Sequence, residues 1–244
     1  MGRSAEGARG TTLRRLRSFA SGLRLFTICP RRAAAGVADD GEMTLEGFDY
    51  FPGLLDPVAQ AAMAAEVLAA LEAAPPFDPV TPGGKPFSVR MSNLGPLGWV
   101  SDRAGYRYQP THPGTGRPWP SIPPSVLSVW RARSGVGAEP DACLVNLYGP
   151  GARMGLHQDR DEADFGFPVV SISLGDTAVF RIGPAEGGGT STLRLASGDV
   201  CVLSGSARLA RHGIDRVLAG SSTLLPGGGR LNLTLRRARP ADQG

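Results

Sequence analysis

The chain has 244 residues, 41 % hydrophobic and 20 % charged, which suits one domain with a substantial core and leaves too little for two large ones. Net charge is +4, but residues 1–42 hold eight arginines against four acids, so the other 18 basic and 18 acidic residues cancel and any nucleic-acid footprint on the body is local. No apolar run reaches bilayer length and no uninterrupted secretory core opens the chain, so a soluble cytoplasmic protein without a membrane partner is expected.

Residues 1–42, rich in Arg, Ala and Gly, lack periodicity and read as disordered or loosely attached. Three readings stay open: a solvated tail, an over-extended gene start with initiation near Met43, or an Arg-rich targeting or nucleic-acid-binding arm. Order is expected from "MTLEGFDYFPGLLD", giving one domain over 43–240. Asp56 before Pro57 is an N-cap followed by proline at the first helical position, and Val58, Ala61, Ala62, Ala65, Leu68 and Ala69 recur at helical spacing until Pro75 and Pro76. The Pro- and Gly-punctuated residues 77–120 read as a lid or binding element. A second helix starts near Pro123 to Ser125, turns Val126, Leu127, Val129 and Trp130 inward, and stops before Gly135.

From Ala142 the pattern changes to short strands: "ACLVNLY", "PVVSISLG", "TAVFRIG", "STLRLA", "DVCVLSG" and "RLNLTLRR". Such a run without intervening helices predicts a mainly β fold with flanking helices, an antiparallel barrel or two-sheet jelly roll with its core over about 142–238. Cys29, Cys143 and Cys201 are scattered and odd in number, which fits buried thiols in a reducing compartment.

Two of the three histidines stand in suggestive company. "LHQDRDE" places His157 and Asp159 two apart, so on an extended segment both project to one side, and "RHGIDR" follows His212 with a glycine. Two imidazoles and a carboxylate on one face of an ion are the ligand set of non-haem Fe(II) oxygenases. An isolated HxD pair is more often a chance or hydrogen-bonding pair than a metal site, and His212 alone could be a satisfied buried histidine. Order adds specificity: a strand, HxD, several strands, His, and then a strand in which Arg230, Asn232, Thr234 and Arg236 alternate with Leu231, Leu233 and Leu235. A buried Arg on such a strand suits the far carboxylate of a dicarboxylate held beside a metal.

The chain resembles the AlkB family of Fe(II)/2-oxoglutarate-dependent dioxygenases over about Met43 to Ala238. The likeness rests on "NLYGPG", "LHQDRDE", "VVSISLG", "GDV", "RLARHGI" and "RLNLTLR", with "MSNLGPLGW" and "GYRY" matching the family's substrate lid. The resemblance implies a double-stranded β-helix core, Fe(II) on His157, Asp159 and His212, and O2 as oxidant. It places 2-oxoglutarate among Asn146, Tyr148, Arg230, Asn232, Thr234 and Arg236, with Arg236 on the distal carboxylate. Trp99, Tyr106 and Tyr108, with Met91 and Arg103 nearby, resemble the lid residues that hold a damaged nucleotide, and Asp161 the carboxylate that reads the base's exocyclic amine. Leu203, Thr192 and Arg211 depart from the bacterial pattern, which has a Trp, a substrate-contacting Arg and an aromatic there.

The implied activity is oxidative demethylation of N1-methyladenine and N3-methylcytosine in alkylated DNA by a monomer, with release of succinate, CO2 and formaldehyde. The base would be met single-stranded or flipped out of the duplex. Methylated RNA, a protein or a small molecule are alternative substrates, and a non-catalytic jelly-roll binding module is the alternative of a different class.

Overall fold

The computed structural model describes residues 45–240; the expectations for residues 1–42, Met43 and Cys29 lie outside them. Two antiparallel sheets form the core. The larger runs β1 (Phe48–Phe51), β10 (Val200–Leu203), β7 (Val169–Gly175), β12 (Arg230–Arg236), β5 (Ala142–Tyr148) and β2 (Arg90–Leu94) in spatial order. The smaller runs β6 (Met154–His157), β11 (Arg211–Leu218), β8 (Thr177–Gly183) and β9 (Ser191–Leu195), and a separate hairpin pairs β3 (Gly98–Asp102) with β4 (Gly105–Gln109). This is the expected jelly roll.

Helices α1 (Pro57–Ala73) and α2 (Pro124–Arg133) cover the outer face of the larger sheet. Asp56 caps α1 by accepting from the Ala59 amide at 2.8 Å. The buried stripe of α1 differs from the one expected. Ala59, Met63, Ala64, Val67 and Leu71 are buried, whereas Val58 is 78 % exposed and Leu68 38 % exposed. Alanine populates every side of this helix, so spacing alone offers two stripes, and the sheet selects the one carrying Met63, Val67 and Leu71. In α2, Val126, Val129 and Trp130 are buried as expected, and Leu127 is partly buried.

β12 lies between β5 and β7 and is buried along its whole length. Leu231, Leu233 and Leu235 pack with Val145, Ile172 and the helices, each contributing roughly 1.5–3 kcal/mol of hydrophobic stabilisation. The opposite side of the strand turns toward the smaller sheet, so the polar set that alternates with these leucines meets protein and cavity in place of bulk water. Within residues 77–120, β2 is an edge strand of the larger sheet, paired with β5, and β3–β4 is a separate hairpin.

Candidate active site

β6 and β11 pair antiparallel with His157 directly opposite His212, and their rings lie 4.6 Å apart. Gly213 permits this approach, since a Cβ there would sit 2.6 Å from the Met154 carbonyl oxygen and 2.8 Å from that of Gly155. The two rings are oriented by their own strands: Nδ1 of His157 lies 2.9 Å from the Gly155 carbonyl and Nδ1 of His212 lies 3.0 Å from that of Ala210. A carbonyl only accepts, so each Nδ1 carries the proton and each Nε2 is left with its lone pair. Asp159 completes the group, with Oδ1 3.7 Å from His157 Nε2 and Oδ2 3.8 Å from His212 Nε2.

The ligand atoms of these three residues all lie within 4.8 Å of one another. Electrostatics favour the charge states a cation needs. Burial lowers the His212 pKa to about 4, with His157 acting in the same direction, so its imidazole stays neutral near pH 7. Burial alone would raise the Asp159 carboxyl, but the Arg236 guanidinium and both imidazoles outweigh it and hold the group well below the usual carboxylate range. A neutral His212 imidazole and an ionised Asp159 carboxylate, with the His157 ring beside them, fit a divalent ion.

A cavity of about 490 Å³ opens beside this group. Arg230, Asn232, Thr234 and Arg236 line it from β12, and Asn146 and Tyr148 from β5. Register explains the convergence, because Arg230 pairs with Tyr148 and Asn232 with Asn146, so the four share one face. Arg230 is 2 % exposed and sits over the Tyr148 ring at 5.1 Å. Its Nη2 donates to Ser173 Oγ at 3.0 Å, but Nε and Nη1 have no hydrogen-bond partner among the described residues, and neither does Asn146 Oδ1. A buried guanidinium with idle donors is costly unless an anion meets it. The donor set therefore fits a small carboxylate ligand.

The two arginines of β12 do different work. Arg236 donates through Nη2 at 2.7 Å and Nε at 3.2 Å to Asp159 Oδ2. The resemblance puts Arg236 on the distal carboxylate; in the structure Arg236 meets the Asp159 carboxylate, and the donors without a partner belong to Arg230, six residues and roughly 20 Å of strand away.

Over the cavity, Trp99 stacks on Tyr106 with centroids 5.6 Å apart and donates from Nε1 to Asp161 Oδ2 at 2.7 Å. Met91 lines the cavity, and the Tyr108 hydroxyl donates to Glu162 Oε1 at 2.6 Å. Arg103 is the exception among the expected residues: it is exposed on the β3–β4 turn beside Gly84 and does not line the cavity. Of the departures, Leu203 lines the cavity, whereas Thr192 lies on β9 outside it, and Arg211 bonds the Pro184 and Gly188 carbonyls. Sequence reasoning missed Ser171, which lines the cavity and bonds Asn232, and Ser173, which bonds Arg230. Their alternation in "VVSISLG" was the available signal. It also missed Glu162, which the acid-rich "DRDEAD" conceals.

Fold and site together define a 2-oxoglutarate- and Fe(II)-dependent oxygenase, and the family model for the 2OG-Fe(II) oxygenase superfamily matches residues 47–236. The chain is 63 % identical over 196 residues to an alpha-ketoglutarate-dependent dioxygenase AlkB homolog of Caulobacter vibrioides, covering 80 % of this chain and 89 % of that protein. It is 46 % identical over 164 residues to alpha-ketoglutarate-dependent dioxygenase AlkB of Escherichia coli, covering 65 % and 76 %. A solved structure, "The structure of OsALKBH1", superposes with a TM-score of 0.67 at 30 % identity over 80 % of this chain and 99 % of that one. The chain belongs to the AlkB family of these dioxygenases. Its activity requires Fe(II), 2-oxoglutarate and O2.

Proposed function

We propose that the domain over residues 43–240 is an oxidative demethylase of N-alkylated bases in DNA, acting as a cytoplasmic monomer on N1-methyladenine and N3-methylcytosine. His157, Asp159 and His212 would hold Fe(II). Arg230 would pair with the distal carboxylate of 2-oxoglutarate, and Tyr148, Asn146, Asn232 and Thr234 would enclose the rest of it. Bound iron, with 2-oxoglutarate and O2, supplies the oxidising power that hydroxylates the N-methyl group, with succinate, CO2 and formaldehyde as the products beside the restored base.

The observation that carries this reading is one cavity holding the His–Asp–His group, the idle Arg230 donors, and an aromatic mouth with a carboxylate at its edge. Both proposed bases are flat, positively charged when methylated, and carry an exocyclic amine. A stacked Trp99 and Tyr106 suit a flat cation, and Asp161 suits the amine. The role of the protein is to extract the base from its stack, orient it and exclude water.

Mass spectrometry of a methylated DNA oligonucleotide incubated with protein, Fe(II), ascorbate and 2-oxoglutarate tests the reading. Loss of one CH2 equivalent with release of formaldehyde supports it. Turnover confined to methylated RNA or peptide in the parallel arms replaces the substrate, and absence of succinate from every arm replaces the enzyme with a binding module.

A further inference from the structure

Glu162 is buried beside Asp159 and gathers three groups: Arg208 Nη2 donates to Oε2 at 3.0 Å, the Tyr108 hydroxyl donates to Oε1 at 2.6 Å, and Arg236 Nε lies 3.3 Å from Oε1. Both arginines also hold Asp159. Arg208 Nη1 donates to the Asp159 main-chain carbonyl at 2.8 Å, while Arg236 Nη2 donates to Asp159 Oδ2 at 2.7 Å. A single carboxylate thus joins the two guanidiniums that fix Asp159 at its backbone and at its side chain.

The four charged side chains balance and are each at most 8 % exposed. Little water can stand in for a lost partner, so removing the Glu162 charge leaves two guanidiniums competing for Asp159. Tyr108 extends the cluster outward. It lies on β4 opposite Trp99, so the hairpin over the cavity bonds the same carboxylate that steadies the Asp159 loop.

The geometry points to Glu162 as a positioning residue that holds Arg208 and Arg236 against Asp159 and, through Tyr108, links the aim of that carboxylate to the seating of the β3–β4 hairpin. The inference rests on the reading of His157, Asp159 and His212 as metal ligands; it is independent of the substrate's identity.

Co(II) added to the metal-free protein with 2-oxoglutarate is the probe, because its titration gives an affinity and its d–d absorption reports ligand geometry without turnover. Glu162→Gln still accepts from Tyr108 but lacks the shared charge. It is expected to weaken Co(II) binding by about 10- to 100-fold, the range for partners one step beyond a metal's ligands, and to shift the d–d bands. Wild-type affinity and bands in the folded variant overturn the proposal.

Should that variant not fold, Tyr108→Phe removes only the link to the hairpin. Faster hydrogen exchange is then expected both in β3–β4 and in residues 158–163, with a smaller loss of Co(II) affinity. Faster exchange confined to the hairpin, with wild-type affinity, overturns the proposal. Failure of the wild-type protein itself to bind Co(II) removes the metal-site reading and the inference with it, an outcome distinct from any result in the variants.

Discussion

His212 lies opposite His157 in the pairing of β11 with β6, close enough for their rings to stand 4.6 Å apart, and the residue after it has no side chain. Gly213→Ala would drive a methyl group to within 2.6 and 2.8 Å of two backbone oxygens on the β6 segment, where no flexible side chain can yield. We expect a loss of stability of about 1–3 kcal/mol by thermal melting. Because the strands must part, metal affinity measured by Co(II) titration should fall by about tenfold or more. A variant with wild-type affinity would show that the close pairing is not what brings the imidazoles together.

The division of labour between the arginines of β12 predicts opposite binding defects. Arg230→Ala should raise the dissociation constant for 2-oxoglutarate by about 30-fold or more, the equivalent of at least about 2 kcal/mol for a buried charge pair. Its metal affinity without cosubstrate should stay near wild type. Arg236→Ala should do the reverse, because it strips Asp159 of its two guanidinium hydrogen bonds. Calorimetric titration of Mn(II) and 2-oxoglutarate, separately and together, distinguishes the two variants.

Asp161 and Trp99 give an optical handle on the cavity mouth. Trp119 and Trp130 are buried and bonded to carbonyls, so Trp99, partly exposed and bonded to Asp161, is the tryptophan most responsive to change there. Asp161→Ala should red-shift the emission and increase acrylamide quenching, while stability changes by no more than about 1 kcal/mol. An unchanged spectrum would mean that the carboxylate does not hold the indole in place.

The buried thiols set a pH dependence. Burial pushes Cys143 up to about 12 and raises Cys201 as well. The folded chain therefore keeps both thiols protonated where an unfolded chain, titrating near 9, has lost those protons. Stability is intact below pH 9 and declines as pH rises from 9 toward 12, since there the native state binds more protons than the unfolded one. Peptide-resolved alkylation at pH 8 should leave Cys143 and Cys201 unlabelled until denaturant is added; labelling of both in the native protein would contradict the burial.

How legible the site was depended on whether a pattern was local. Alternation in "RLNLTLR" and in "NLY" anticipated that Arg230, Asn232, Thr234, Arg236, Asn146 and Tyr148 line one face, the face that borders the cavity, because a period of two needs no tertiary information. Strand order and the HxD spacing likewise anticipated the His–Asp–His group. What alternation lacks is direction along the strand. It puts Arg230 and Arg236 on one face without saying which end meets Asp159, and that is decided by where the loop after β6 folds. Glu162 was hidden for a related reason, since an acid among acids reads as solvated until Arg208 and Arg236 are found around it. The face of α1 was ambiguous because alanine fits either stripe.

A crystal structure of the protein with Mn(II) and 2-oxoglutarate tests the proposed centre most directly. One metal ion held by His157 Nε2, His212 Nε2 and the Asp159 carboxylate, with the distal carboxylate of 2-oxoglutarate on Arg230, is the predicted result. A metal held by other side chains, or a distal carboxylate seated on Arg236, would contradict it.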